Sequence, residues 1–228
     1  MTLEDLNLPS DLDPFLRKVI EVAFAENGVV EDPKMGQNRG ARVDEYIRST
    51  HLDPAANPPQ GYPWCACFVF WCFQQAARAT NLSNPCTRTA SVVTHWDLTS
   101  APKVLASLAR FDHSNVRPGM VFCKTHDRHS HTGIVCAVTD AGIVTVEGNT
   151  NAAGSREGNA VVFGKTRPWD YVQCGFIDYT RMSVDLAKVP EGKSAEAPGV
   201  SDADNLPVVA SCDPEIESCA PGASRLHH

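Results

Sequence analysis

No run of eighteen apolar residues occurs in the chain, so no membrane-spanning helix is expected. The opening Met1-Thr2-Leu3-Glu4-Asp5-Leu6-Asn7 lacks both the basic region and the apolar core of a secretory signal, and action outside the cytoplasm would need another route out. A positive surplus is missing as well. The formal net charge is −7, and residues 183–228 hold eight acids against three bases, which leaves only −2 on residues 1–182. A nearly balanced body with an acidic tail offers no basic footprint for nucleic acid or an anionic membrane. The 228 residues, 43% hydrophobic and 21% charged, suffice for one core and a tail. The expected division is a folded domain over 1–182 and an acidic, Pro/Ala/Ser-rich tail over 183–228 with little regular structure.

Glycine and proline are also absent from Trp64 to Ala79, a strongly apolar stretch that reads as a buried helix. Pro63 suits its entry, and Cys65 falls in its first turn. Unpaired backbone N–H groups and the positive end of the helix dipole meet there and favour an anion. A thiol so placed tends toward thiolate, the nucleophilic form. The chain has nine cysteines. Cys67, Cys72, Cys86, Cys123, Cys136 and Cys174 sit mostly in apolar surroundings and read as buried free thiols. Cys212 and Cys219 bracket a short polar loop and could pair under oxidising conditions.

Asp13-Pro14 reads as the cap and first residue of an earlier helix that Asn27-Gly28 ends. Val43, Tyr46 and Ile47 mark a short second helix, and helices are expected over 89–97 and 102–111. After Pro118-Gly119 the pattern changes to short strands over 120–123, 132–138, 143–147, 160–163 and 172–177, with a turn at Asp140-Ala141-Gly142. Helices first and strands after predict an α+β domain with an antiparallel sheet.

A cysteine nucleophile needs an imidazole to take its proton and a third group to orient that imidazole. His126, His129 and His131 are clustered, and His131 directly precedes a strand that would hold it rigidly. Gly133 leaves room for another element to approach. His126 and His129 read as solvated loop histidines. Glu147 ends the next strand. Pairing through the turn at residues 140–142 brings it toward His131, with an offset that a bulge or the strand ends could absorb. The Asn149 amide could assist or hold the loop. Cys123, His126, His129 and His131 form a competing zinc set, although no second Cys-x-x-Cys clamp accompanies them.

Tyr62-Pro63-Trp64-Cys65-Ala66-Cys67-Phe68-Val69 resembles the nucleophile motif of CHAP domains, the cysteine- and histidine-dependent amidohydrolases of the papain-like NlpC/P60 superfamily. Arg117 to Phe122 resembles the family's strand opening, His131-Thr132-Gly133-Ile134-Val135 its histidine strand, and Val146 to Asn151 its third motif. Asn38-Arg39-Gly40, with Val43 and Tyr46, is similar to a lead-in of some members, and the resemblance runs from about Pro14 to Tyr179. Met120 stands where many members carry an acid. The resemblance implies Cys65 as nucleophile, His131 as base and acid, Glu147 as orienter and Asn149 as an additional member. It also implies peptidoglycan as substrate, cut by amidase or peptide endopeptidase chemistry without metal or cofactor. Tyr62 and Trp64 are candidates for lining the cleft, with the core as the alternative for Trp64. A monomer is expected, acting on the cell wall as an injected toxin with an immunity partner plugging its cleft, or as a phage-type lysin. An amidase acting on a small cytosolic conjugate and a non-catalytic wall-binding module are the alternatives.

Overall fold

A computed structural model describes residues 2–125, 130–151 and 158–188. Five helices, α1 (Pro14–Ala25), α2 (Ala41–Ser49), α3 (Cys65–Thr80), α4 (Val92–Leu98) and α5 (Ala106–Phe111), accompany six strands. The strands are β1 (Lys103–Leu105), β2 (Val121–Lys124), β3 (His131–Thr139), β4 (Gly142–Thr150), β5 (Ala160–Pro168) and β6 (Gly175–Ile177). They form one sheet in the order β1-β6-β2-β3-β4-β5, and every pairing is antiparallel. The domain is therefore α+β.

Helix α1 starts as its sequence dictates. The Asp13 carboxylate accepts from the N–H groups of Phe15 and Leu16, and Pro14 occupies the first turn, where its missing donor costs nothing. Its apolar stripe, Phe15, Leu16, Val19, Ile20 and Ala23, is buried against α3. From Cys65 to Phe73 every residue of α3 is buried, so this helix is the axis of the core rather than an amphipathic cover. It ends at Asn81 in the left-handed conformation, which asparagine tolerates. The side chains of Val121, Ile134, Val146 and Ile177 join the α3 core, whereas Phe122, Val135, Ile143 and Phe176 pack in a second cluster with α5.

Two expectations need correcting. Residues 103–105 are not helical; they pair with β6 as the edge strand β1, and the helix begins only at Ala106. Of the stretch 172–177 only Gly175–Ile177 is strand, because a 3-10 turn (Trp169–Tyr171) leads into it. Beyond residue 182, Asp185 makes an isolated bridge to Leu82 and Leu186–Lys188 forms a single 3-10 turn, while the tail from residue 189 on, with Cys212 and Cys219, lies outside the described residues.

Candidate active site

Cys65 is the first residue of α3. The preceding Trp64 offers no side-chain acceptor to the helix start, so the first-turn amides beside the thiol are left uncapped by it. An ordinary cap would stabilise the helix by about 1 kcal/mol. Its omission keeps N–H groups available next to the sulfur.

His131 opens β3, paired with Lys124 of β2. Its Nε2 lies 2.9 Å from Oε2 of Glu147, and the same ring is close enough to the Cys65 thiol for the two groups to interact. With Nε2 committed to the carboxylate, Nδ1 is the nitrogen left for the sulfur. The imidazole thus sits between thiol and carboxylate, almost wholly buried. Burial alone pushes it toward the neutral form, but the interactions with Cys65 and Glu147 outweigh this and raise its pKa to about 9.

The contact between His131 and Glu147 depends on an absence. Ile134 faces Val146 across the ladder, which places Gly133 opposite Glu147 and leaves Glu147 to reach His131 on the diagonal. A Cβ on Gly133 would lie 2.7 Å from Cγ of Glu147, so the carboxylate arm crosses the space that glycine leaves empty. The register shift between Val135 and Ala137 absorbs the offset between the two strands. Gly148 plays the same part toward the helix: a Cβ there would meet Phe68 and Trp64, each at 2.7 Å.

Glu147 is fully buried and its acceptor sites are taken. The Thr145 hydroxyl donates to Oε1 at 2.6 Å, Arg167 Nε donates to Oε1 at 2.8 Å, and Arg167 Nη2 donates to Oε2. Burial favours the protonated acid, but Arg167 and His131 hold the carboxyl well below the ordinary carboxylate range.

Asn149 is buried nearby, yet its contacts go elsewhere. Its Oδ1 accepts from Trp64 N at 3.0 Å, and its Nδ2 donates to Asn38 Oδ1 at 3.1 Å and to Gly158 O at 2.7 Å. It ties the entry of α3 to the end of β4 and makes no hydrogen bond to the imidazole. Trp64 is fully buried against Tyr46, with its Nε1 donating to Glu31 at 2.9 Å. Its ring therefore belongs to the core and does not line a cleft, which corrects the reading of Trp64 as a substrate contact. Tyr62 is half-buried on the loop before α3.

Arg167, Thr145 and Glu31 escaped the sequence reading. Arg167 lies twenty residues beyond its partner on another strand, and no local pattern marks it. Of the proposed zinc set, His126 and His129 lie outside the described residues, and among the described residues no group of three or more His, Cys, Asp or Glu could hold a metal ion. A surface pocket of about 560 Å³ is lined by Arg42, Arg48, Trp71 and Arg78 among others and includes none of Cys65, His131 or Glu147. The cysteines other than Cys65 among the described residues are free thiols, all buried except the half-buried Cys174. Burial raises the pKa of Cys67 to about 12.

Residues 57–149, a span running from the loop before α3 through Cys65 and His131 to the end of β4, match the family model of the CHAP domain. This stretch is a CHAP domain. The CHAP domain is a cysteine- and histidine-dependent amidohydrolase/peptidase domain, so the chain carries a hydrolase of that class. No curated protein and no solved structure matches the chain. The CHAP match ends at Asn149 and so does not reach Arg167.

Proposed function

We propose that this protein hydrolyses an amide bond of peptidoglycan, as an N-acetylmuramoyl-L-alanine amidase or a peptide endopeptidase, through Cys65, His131 and Glu147. The observation that carries the reading is the His131 ring, bonded to a buried carboxylate and placed beside the thiol at a helix start. The nucleophile-bearing helix laid against an antiparallel sheet that presents the histidine, together with the CHAP match, supports reading the fold as papain-like.

The Cys65 thiolate attacks the amide carbonyl carbon, and the C–N bond breaks as His131 gives its proton to the departing amine. A water then loses a proton to the neutral imidazole and attacks the thioester carbonyl. The C–S bond breaks, releasing the carboxylic acid product and restoring the thiolate. Backbone N–H groups at the start of α3 stabilise the oxyanion in both steps, each donor contributing on the order of 3 kcal/mol. Glu147 holds the ring in one tautomer and stabilises its charged form. Asn149 fixes the backbone just ahead of the nucleophile through Trp64 N.

In this reading the protein is a monomeric antagonism toxin acting in the periplasm of a target cell, or a phage-type lysin. In the toxin case a small immunity partner plugs the cleft. Purified peptidoglycan incubated with the protein should yield soluble fragments with new amines, and their masses identify the bond. Cys65→Ala should fold and release none. Undiminished release by that variant would end the proposal. Targeting the protein to the periplasm of a test bacterium should lyse it, whereas cytoplasmic expression should be harmless.

A further inference from the structure

The site has a member that alternates in charge and one that must not. In the cycle described above His131 passes between imidazolium and imidazole. Each time it is neutral, Glu147 would be a fully buried anion without a counter-charge if the histidine were its sole partner. Arg167 removes that problem. A guanidinium keeps its proton across the pH range of proteins, and its fork matches a carboxylate in two parallel bonds. Here the fork is engaged on both oxygens of Glu147, one of which His131 shares.

Arg167 is itself held in place. Its side chain is 8% exposed, and its guanidinium lies 4.1 Å from the centroid of the Tyr171 ring. The other titratable groups around Glu147 are His131 and Cys136 on β3, Lys165 on β5 and Tyr171 on the 3-10 turn. The Lys165 ammonium bonds the Asn151 carbonyl instead. Burial keeps the Cys136 thiol and the Tyr171 hydroxyl protonated, the latter with its pKa raised to about 12. Among the described residues, Arg167 is thus the permanently charged partner bonded to Glu147.

We propose that Arg167 is a positioning residue of this site: it locks Glu147 as an ionised, immobile acceptor, so that the carboxylate holds the His131 ring through both protonation states of the imidazole. The proposal rests on reading Cys65, His131 and Glu147 as one catalytic unit. Arg167 makes no hydrogen bond to the thiol or the imidazole among the described residues and acts through the glutamate.

The test uses the full chain with ¹⁵N-labelled histidine and follows the proton between His131 Nε2 and Glu147 by NMR as pH falls. In Arg167→Met the carboxyl loses its permanent partner, and the acidic midpoint at which this proton's resonance collapses should rise by roughly one to three pH units. Arg167→Lys keeps the charge without the fork. It should recover most of that shift while leaving the ring resonance broader than in the wild type. An Arg167→Met variant with the wild-type midpoint overturns the proposal, and so does Arg167→Lys behaving like the methionine variant. If Arg167→Met does not fold, the Glu147→Gln/Arg167→Met double variant decides. It should be at least as stable as Glu147→Gln alone, because no anion remains to be paired, and failure of Glu147→Gln to relieve the arginine loss overturns the proposal. The NMR readout needs no substrate. A protein that cleaves no peptidoglycan yet shows the shift refutes the hydrolase reading and leaves the role of Arg167 standing.

Discussion

Gly133→Ala adds one methyl group and replaces no chemical group of the site. The new Cβ would lie 2.7 Å from Glu147 Cγ, 2.8 Å from the Val146 carbonyl oxygen and 2.9 Å from Phe122 Cε1. The carbonyl belongs to the neighbouring strand and Phe122 is fully buried, so the glutamate arm must give way. Restoring an ordinary contact of about 3.5 Å moves Cγ by roughly 0.8 Å. The bond between Glu147 Oε2 and His131 Nε2 starts at 2.9 Å, and a displacement of that size takes it past the useful range of about 3.2 Å. Overpacking should cost about 1–3 kcal/mol of stability, read as a lower urea midpoint at unchanged slope. Misorientation of the imidazole by most of an ångström should lower kcat/KM on peptidoglycan fragments by about 10- to 100-fold, mainly in kcat. The two effects are separable, because activity is measured well below the unfolding midpoint. Wild-type kcat in a folded Gly133→Ala protein would falsify the claim that the empty space beside Glu147 serves the site.

Two more outcomes follow from the same geometry. The folded-state pKa of His131, about 9, exceeds its unfolded value of about 6.5. The stability it contributes is therefore fully present below pH 6.5 and is lost as pH rises through 9. The stability gap between wild type and His131→Ala, measured by urea unfolding, should shrink between pH 6 and pH 9.5, and hydrolysis should decline above pH 9 as the proton-donating imidazolium disappears; a gap that widens over that interval would contradict the assigned contacts. Asn149→Ala leaves Trp64 N, Asn38 Oδ1 and Gly158 O short of a buried partner and should cost about 1–3 kcal/mol. Because Asn149 makes no bond to the imidazole, the pH–rate profile of the variant should keep its shape; a moved limb would place Asn149 in the proton chemistry instead.

The residues whose role is local were legible in the sequence. Asp13-Pro14 announces a helix start because capping is settled within four residues, and the uninterrupted apolar run after Cys65 announces a buried helix because nothing in it breaks one. The meeting of His131 with Glu147 was legible to within an offset, since hairpin geometry ties the two strands through a short turn. What the sequence hid depends on distance along the chain. Arg167 is opposite Ile143 in the ladder, and only the length of its side chain brings it to Glu147. Trp64 was ambiguous because burial is a property of what packs on the ring, here Tyr46 from α2 and the Glu31 carboxylate. Residues 103–105 have a composition that suits a helix, and only the free edge of β6 makes them a strand.

The sulfhydryls of the interior have a use apart from packing. Cys67, Cys72, Cys86, Cys123 and Cys136 are shielded completely, on α3, on the loop beyond it and on two central strands. A thiol reagent can reach them only when their surroundings open, so the rate at which each acquires a label is the frequency of that opening. Mass spectrometry of individual cysteine peptides during slow alkylation would therefore give a site-by-site map of opening free energies without any introduced probe. The protein carries five internal clocks, and comparing those on the helix with those on the sheet would show whether the two halves of the site come apart together or separately.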